Sequence, residues 1–281
     1  MTKNPVAVCS WSYQKPLRAV AEEMRRIGVR HVHLALQPFL EGDARHGAAE
    51  GALARGYVEG LIDGGAWTVT AAMLSFPYED YTTPATIRKT GGIVPDAHWA
   101  ANRARIRAAA RLAARFKAPY LTLHAGYLDA TRPSAVATFT DRVKFLADVC
   151  GENGLRLLLE TGQETADHLV RFLSSVKGVG VNFDPANMLL YGMGDPVAAV
   201  AKLAPWIRHV HAKDALPSPQ PGVVWGREVP WGDGRVDAPA FLAALARAGY
   251  AGALAVERED GARRADDIAL AVRRLRAARQ A

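Results

Sequence analysis

The sequence predicts an α/β fold: a single (β/α)8 barrel of the TIM type, with residues 1–281 as one domain. Three observations predict it. Short apolar, β-rich runs alternate with segments of helical period, which implies parallel strands joined by helical crossovers. The length of 281 residues is large for an ordinary domain, yet normal for such a barrel, typically about 250 residues. The last four strand-like runs each turn polar at their final residue, namely Glu160, Asp184, His211 and Glu257, at the strand ends where these barrels build their sites.

The strand candidates are 5–10 (PVAVCS), 29–36 (VRHVHLAL), 67–75 (WTVTAAMLS), 119–125 (PYLTLHA), 155–160 (LRLLLE), 179–184 (VGVNFD), 206–212 and 252–257. The first helical segment, 16–27, puts Leu17, Val20, Ala21, Met24 and Ile27 on one face and stops at Gly28. Segment 96–116 starts from Asp96 as N-cap and keeps Trp99, Arg103, Ile106, Ala110, Ala113 and Phe116 in register. Segments 134–152, 163–175, 237–248 and 263–279 complete the helical set. No G-x-G-x-x-G follows the first strand, so a doubly wound dinucleotide-binding sheet lacks support. Two connections are long, 76–95 and 213–235. Both leave C-terminal strand ends, where long loops act as walls or lids. No Pro-, Gly- and Ser-rich linker divides the chain.

Composition narrows the setting. A hydrophobic fraction of 49% is ample for a large core, and disorder is excluded. The opening MTKNPVAVCSWS has no basic n-region followed by an apolar h-region, and no apolar run approaches the roughly 20 residues of a membrane span. Cys9 and Cys150 give no disulfide framework and fit a reducing compartment. The expected location is therefore the cytoplasm, with no membrane partner; a homo-oligomer is compatible. The net charge of +7 comes largely from arginines. They alternate with Ala and Leu in helical segments, including Arg103, Arg107, Arg111 and Arg115. That is the pattern of solvated outer helices, and without interleaved aromatics it does not indicate a nucleic-acid surface.

Parallel strands lie about 5 Å apart, so Glu160, Asp184, His211 and Glu257 can surround one point. Three carboxylates and an imidazole suit one divalent ion, with Mn2+ favoured and Mg2+, Co2+ or Zn2+ able to substitute. A lone strand-end carboxylate is more often a helix cap or an ion-pair partner, but here four separate such explanations would be needed. His209 shares the strand face of His211 one layer deeper, as a supporting or core histidine. His124, in LTLHAG, is a substrate contact or a donor behind the ligands, and Gly126 permits close backbone approach there. His33 reads as a satisfied barrel histidine, whereas His31, His46, His98 and His168 fall in no pattern. Lys213 either holds a substrate oxygen or is a surface lysine. Trp225 and Arg227 offer an apolar wall and an anion contact, and Asn187 is three residues past Asp184. Gly232 and Gly234 suggest a tight turn and, weakly, a phosphate nest.

LHAG, LLLETG, VNFDPANML, HVHAKD, GDGRVD and AVE, in this order, resemble the sugar isomerase and epimerase branch of the xylose-isomerase-like barrels, over nearly the whole chain. The resemblance implies a barrel with one divalent ion on Glu160, Asp184, His211 and Glu257, the two glutamates also moving the proton. His124, Asn187, Lys213 and Arg227 are the expected substrate contacts. Ketose 3-epimerases of this family commonly carry a histidine at the position of Asn187. The related endonuclease IV shares His124 and the four ligands, but needs further histidines for a three-zinc cluster. Asn187 and Gly226-Arg227-Glu228 stand where two of its motifs would be, so a small-molecule substrate is expected and nucleic acid is not.

The implied chemistry is proton abstraction beside a carbonyl, through an enediolate stabilised by the ion. Return of the proton to the other face gives an epimerase, and return to the next carbon an isomerase. Loss of a leaving group gives a lyase or dehydratase acting on a keto-sugar or cyclic polyol. The leading expectation is an isomerase or epimerase of a sugar or sugar phosphate. Behind the lyase stands a barrel that binds metal without turnover.

Overall fold

The computed structural model describes residues 4–40 and 48–279, with side chains of the first turn and a half of one helix (48–52) left out; His46 lies outside the described residues. The strands are β1 (Val6–Cys9), β2 (His31–Ala35), β3 (Thr68–Met73), β4 (Tyr120–Leu123), β5 (Arg156–Glu160), β6 (Val179–Phe183), β7 (Ile207–Ala212), β8 (Asp214–Leu216), β9 (Arg227–Val229) and β10 (Leu254–Val256). Eight of them close a parallel barrel in the order β1-β10-β7-β6-β5-β4-β3-β2. Closure is made by Val6 beside Leu254 and Val8 beside Val256. The register brings Glu160 level with Asn182, and Ala255 beside His211. All eight expected strands are present, each trimmed by a residue or more.

The helices are α1 (Leu17–Arg26), α2 (Ala48–Asp63), α3 (Pro84–Thr90), α4 (Trp99–Arg115), α5 (Pro133–Glu152), α6 (Ala166–Ser175), α7 (Pro185–Tyr191), α8 (Pro196–Leu203), α9 (Ala238–Arg247) and α10 (Arg264–Ala278). On α4 the exposed Arg103, Arg107, Arg111 and Arg115 lie opposite the buried Ile106, Ala110 and Ala113, as a solvated outer helix requires. Asp96 is not its N-cap. Residues 96–98 form a 3-10 turn, His98 is the cap without a side-chain bond, and the Asp96 carboxylate accepts from Arg142 instead.

Helices α2, α3, α7 and α8 fall outside the six segments of helical period. In α2, Gly51, Gly56 and Gly60 interrupt the apolar stripe. The short α7 and α8 announce themselves by caps rather than by period: Asp184 and Asp195 each precede a proline at the first helical position and accept a backbone N–H. The 213–235 connection holds the antiparallel β8–β9 hairpin, pairing Asp214 with Val229 and Leu216 with Arg227.

Inside the barrel, a polar layer of His33, Thr122, Asn182 and His209 is fully buried. Between barrel and helices lies an apolar shell, in which Phe183 meets Phe241 at 5.6 Å between ring centres. Both cysteines are buried and free.

Candidate metal centre and adjoining cavity

Glu160, Asp184, His211 and Glu257 each offer one atom to a common point, and those atoms lie within 4.8 Å of one another. Nδ1 of His211 faces the carboxylates, 3.3 Å from Glu160, 3.4 Å from Asp184 and 3.1 Å from Glu257. Donors about 2.1 Å from a small divalent ion in octahedral array stand about 3 Å apart. A hard, oxygen-rich set at this spacing fits Mg2+ or Mn2+. One more observation supports the fit. Glu257 Oε2 is buried without a properly aligned hydrogen bond, although Lys213 Nζ is 3.0 Å and His211 Nδ1 3.1 Å away.

Each candidate ligand is held from behind. Trp11 Nε1 donates to Glu257 Oε1 at 2.8 Å. Asn182 Nδ2 donates to Glu160 Oε2 at 3.2 Å, while its Oδ1 lies 2.9 Å from His209 Nδ1. His209 Nε2 reaches Thr70 at 3.0 Å. Asp184 divides its two oxygens: Oδ1 caps α7 by accepting the Asn187 amide at 3.0 Å, and Oδ2 turns to the cage. The far nitrogen of His211 is 2.9 Å from His33 Nδ1, and His33 Nε2 is 2.8 Å from the Thr122 hydroxyl, which donates to the Ala72 carbonyl at 3.2 Å. With a cation on His211 Nδ1, every proton along this line finds an acceptor, a proton order inferred from the donor count.

The electrostatics of the three acids differ. Burial pushes the Asp184 carboxyl up to about 6, against the pull of Lys213. Burial also works on Glu257, but Lys213 and His211 outweigh it and hold that carboxyl well below its ordinary value. Glu160 is lowered too, because His124 and His211 outweigh its burial. Burial depresses His33 and His209 well below the ordinary imidazole, so both are neutral.

The expected substrate contacts divide. His124 lies 3.5 Å from Glu160. Its strand end is drawn close by the contact between Gly92 and Gly126, where a β-carbon on either would strike the opposite backbone. Asn187 donates to Glu160 Oε1 at 3.3 Å and to the Thr161 carbonyl at 3.1 Å, so it braces a ligand. Lys213 is buried rather than a surface lysine, within 3.8 Å of Asp184, Glu228, Glu257 and Glu259. Arg227 is the exception. It is exposed at the start of β9, and the alternation of the strand turns Glu228 inward instead, where it accepts from Arg258. The weakly indicated phosphate nest is filled from within: Asp214 accepts the amides of Ala215, Gly232, Gly234 and Val236 at 2.8 to 3.1 Å.

A cavity of about 550 Å³ opens beside the cage, lined by Glu160, His124, Tyr81, Tyr191 and the segments after β4 and β5. Of the four ligands only Glu160 borders it. Trp225 packs on two of its wall residues, 4.9 Å from Tyr191 between ring centres and donating to the Tyr81 carbonyl at 3.1 Å. Sequence reasoning missed Trp11, Asn182, Glu164, Tyr81 and Tyr191. Only Trp11, two residues beyond β1, and Glu164, four beyond Glu160, sat where position alone could have drawn attention.

Residues 74–278 match the xylose isomerase-like TIM barrel family, and the chain belongs to it. It is 36% identical over 142 residues to the rhizopine catabolism protein MocC of Rhizobium meliloti. That match covers 45% of this chain and 43% of that protein, so the chain spans under half the length of the relative. Among solved structures it is similar to a xylose isomerase domain protein from Planctomyces limnophilus, at 31% identity and TM-score 0.82, over 99% of this chain and 97% of the other. A D-tagatose 3-epimerase-like protein shares the fold at TM-score 0.74 and 17% identity, over 100% and 97% of the two chains.

Proposed function

We propose that this protein is a divalent-metal-dependent isomerase or epimerase of a sugar or sugar phosphate. The observation that carries this reading is the convergence of Glu160, Asp184, His211 and Glu257 beside a cavity bordered by Glu160 and His124. A bound divalent ion supplies the positive charge that polarises a substrate carbonyl and steadies the anion left by proton loss. The rest falls to the chain. Glu160, at the cavity side, removes the proton from the carbon beside the carbonyl, and Glu257 serves the opposite side of the substrate. His124 holds a substrate oxygen at the cavity side, Lys213 keeps Glu257 ionised from behind, and the cavity walls keep water from the exposed carbanion.

A lyase reading is favoured by one residue. Asn187, braced on Glu160, stands where ketose 3-epimerases of the family commonly carry a histidine, so expulsion of a leaving group from a keto-sugar or cyclic polyol stands as the second reading.

Glu160→Gln and Glu257→Gln test the proton step. Each keeps the side-chain size, and each should lower kcat at least about 100-fold. Turnover in deuterated water should leave solvent deuterium on the inverted or newly reduced carbon. Near-wild-type rates for both variants, with metal bound, would sink the two-glutamate mechanism. A product without label would point to internal hydride transfer.

A further inference from the structure

Helix α7 brings three polar side chains to one face. Asp184 caps it, Asn187 is three residues on and Tyr191 seven, the spacing of a single stripe along a helix. Asp184 turns to the cage and Asn187 to Glu160. Tyr191 ends the helix and lines the cavity beside the cage. It is only 7% exposed, and the Trp225 ring packs on it edge-first, at 75° between ring planes. Gly162 lies between Tyr191 and His124: a β-carbon there would stand 3.6 Å from His124 Nδ1 and 3.9 Å from Tyr191 Cε2. Both side chains therefore flank the chain just past Glu160.

The Tyr191 hydroxyl has no use within the fold. Buried tyrosine hydroxyls normally find a partner. Tyr78 donates to the Gly92 carbonyl at 2.7 Å, and Tyr250 to the Ala253 carbonyl at 2.6 Å. Tyr191 makes no such bond among the described residues. Its oxygen is not sealed away either, as the unpartnered Tyr13 hydroxyl is; it opens to the cavity that the residue lines. The charged groups acting on it are Lys213, Glu160, Glu164 and Glu259, which sets the hydroxyl at the Glu160 end of that cavity. Burial holds the phenol above its ordinary value, so it keeps a proton to donate. A phenylalanine would pack on Trp225 equally well, so packing leaves the hydroxyl unexplained.

We propose that Tyr191 is a substrate-binding residue, its hydroxyl hydrogen-bonded to one hydroxyl group of a polyhydroxylated ligand whose reacting carbons lie at Glu160. This rests on the metal-dependent reading and adds to it a source of selectivity. A sugar or polyol that carries the matching hydroxyl completes the bond. Its deoxy analogue leaves the Tyr191 hydroxyl without a partner in a mostly buried site, a loss that such pockets reject.

Titration calorimetry on the Mn2+-loaded protein tests it. D-fructose, D-tagatose, D-psicose and myo-inositol are titrated first, then each monodeoxy form of the tightest binder. Tyr191→Phe should weaken the parent at least about fivefold, as expected for a lost hydrogen bond in a buried site, and leave Mn2+ affinity as in wild type. One monodeoxy form should bind both proteins equally, because it lacks the group that meets Tyr191, while the other forms keep the full difference. A tyrosine that only shapes the wall would instead weaken every form by one common factor. A smaller loss for the parent, a common factor across all forms, or no binding by any of the four polyols overturns the proposal. Because calorimetry reads binding, a ligand that shows the pattern without turnover removes the isomerase reading and leaves this one standing. Turnover with the pattern absent does the reverse.

Discussion

Strands β5, β6, β7 and β10 end in the three carboxylates and the imidazole of the cage, whereas β1 to β4 and their ends bring Trp11, His33, Thr70 and Thr122 to the same level of the barrel. One half of the barrel holds the charge and the other holds the groups that bear the charge. The division has a physical reason. Acids from neighbouring strands, about 5 Å apart, converge on one ion, and the opposite wall must then supply neutral donors and acceptors, because further charge there would meet no counter-charge. Burial keeps His33 neutral, which suits it to that wall.

The largest effect should come from the charged half. His211→Ala removes the nitrogen ligand and unseats the hydrogen-bond line through His33. Metal occupancy should fall, and turnover should drop about 1000-fold or more, since the ion is worth several kcal/mol to the developing anion. Exhaustive chelation of the wild type should do the same, with recovery on adding Mn2+ or Mg2+. Full activity in metal-free protein would end the metal reading.

The neutral half should show an intermediate effect. Trp11→Phe deletes the donor to Glu257 Oε1 while filling nearly the same space. Losing a hydrogen bond to a metal ligand typically costs 10- to 100-fold in affinity or activity. Metal titration of Trp11→Phe should show a loss of about tenfold with the fold intact by circular dichroism. Wild-type affinity would demote the first half of the barrel to filler, and the comparison would fail.

How much of this was legible follows the same division. Glu160, Asp184, His211 and Glu257 were readable because each ends an apolar run in a metal-binding side chain. The alternative reading of Asp184 as a helix cap proves true of one oxygen, while the other faces the cage. The supporting wall was not readable. Thr122 and Asn182 are ordinary residues inside strands; closure of the barrel sets Thr122 beside His33, and the register of β6 on β7 sets Asn182 beside His209. The sequence reads His33 as a satisfied barrel histidine, and it is one; a group satisfying it is the cage residue His211. Helices α2, α3, α7 and α8 show no apolar period, because glycines or short length erase it, though Asp-Pro starts mark α7 and α8. The substrate side was hardest, because loop side chains obey no period. Lys213 and Arg227 stand at opposite ends of one connection, and nothing in the chain says which turns inward.

The hairpin after β7 provides the smallest expected effect and separates those two residues. Lys213 precedes β8 and is buried among four carboxylates. Arg227 begins β9 with its side chain in solvent, while Glu228, the next residue, faces inward to Arg258 and Lys213. In an extended strand neighbouring side chains point to opposite faces, so Arg227 and Glu228 cannot both serve the site. Lys213→Ala would leave Glu257 and Glu259 without their nearest cation and should impair turnover well beyond tenfold, as expected for breaking a buried ion pair. Arg227→Ala removes an exposed side chain and should leave KM and kcat within about twofold, as surface changes generally do. Steady-state kinetics on the two variants decide it. A large rise in KM for Arg227→Ala alone would mean that the hairpin turns over when substrate binds, and that the inward face of β9 belongs to the ligand-free protein only.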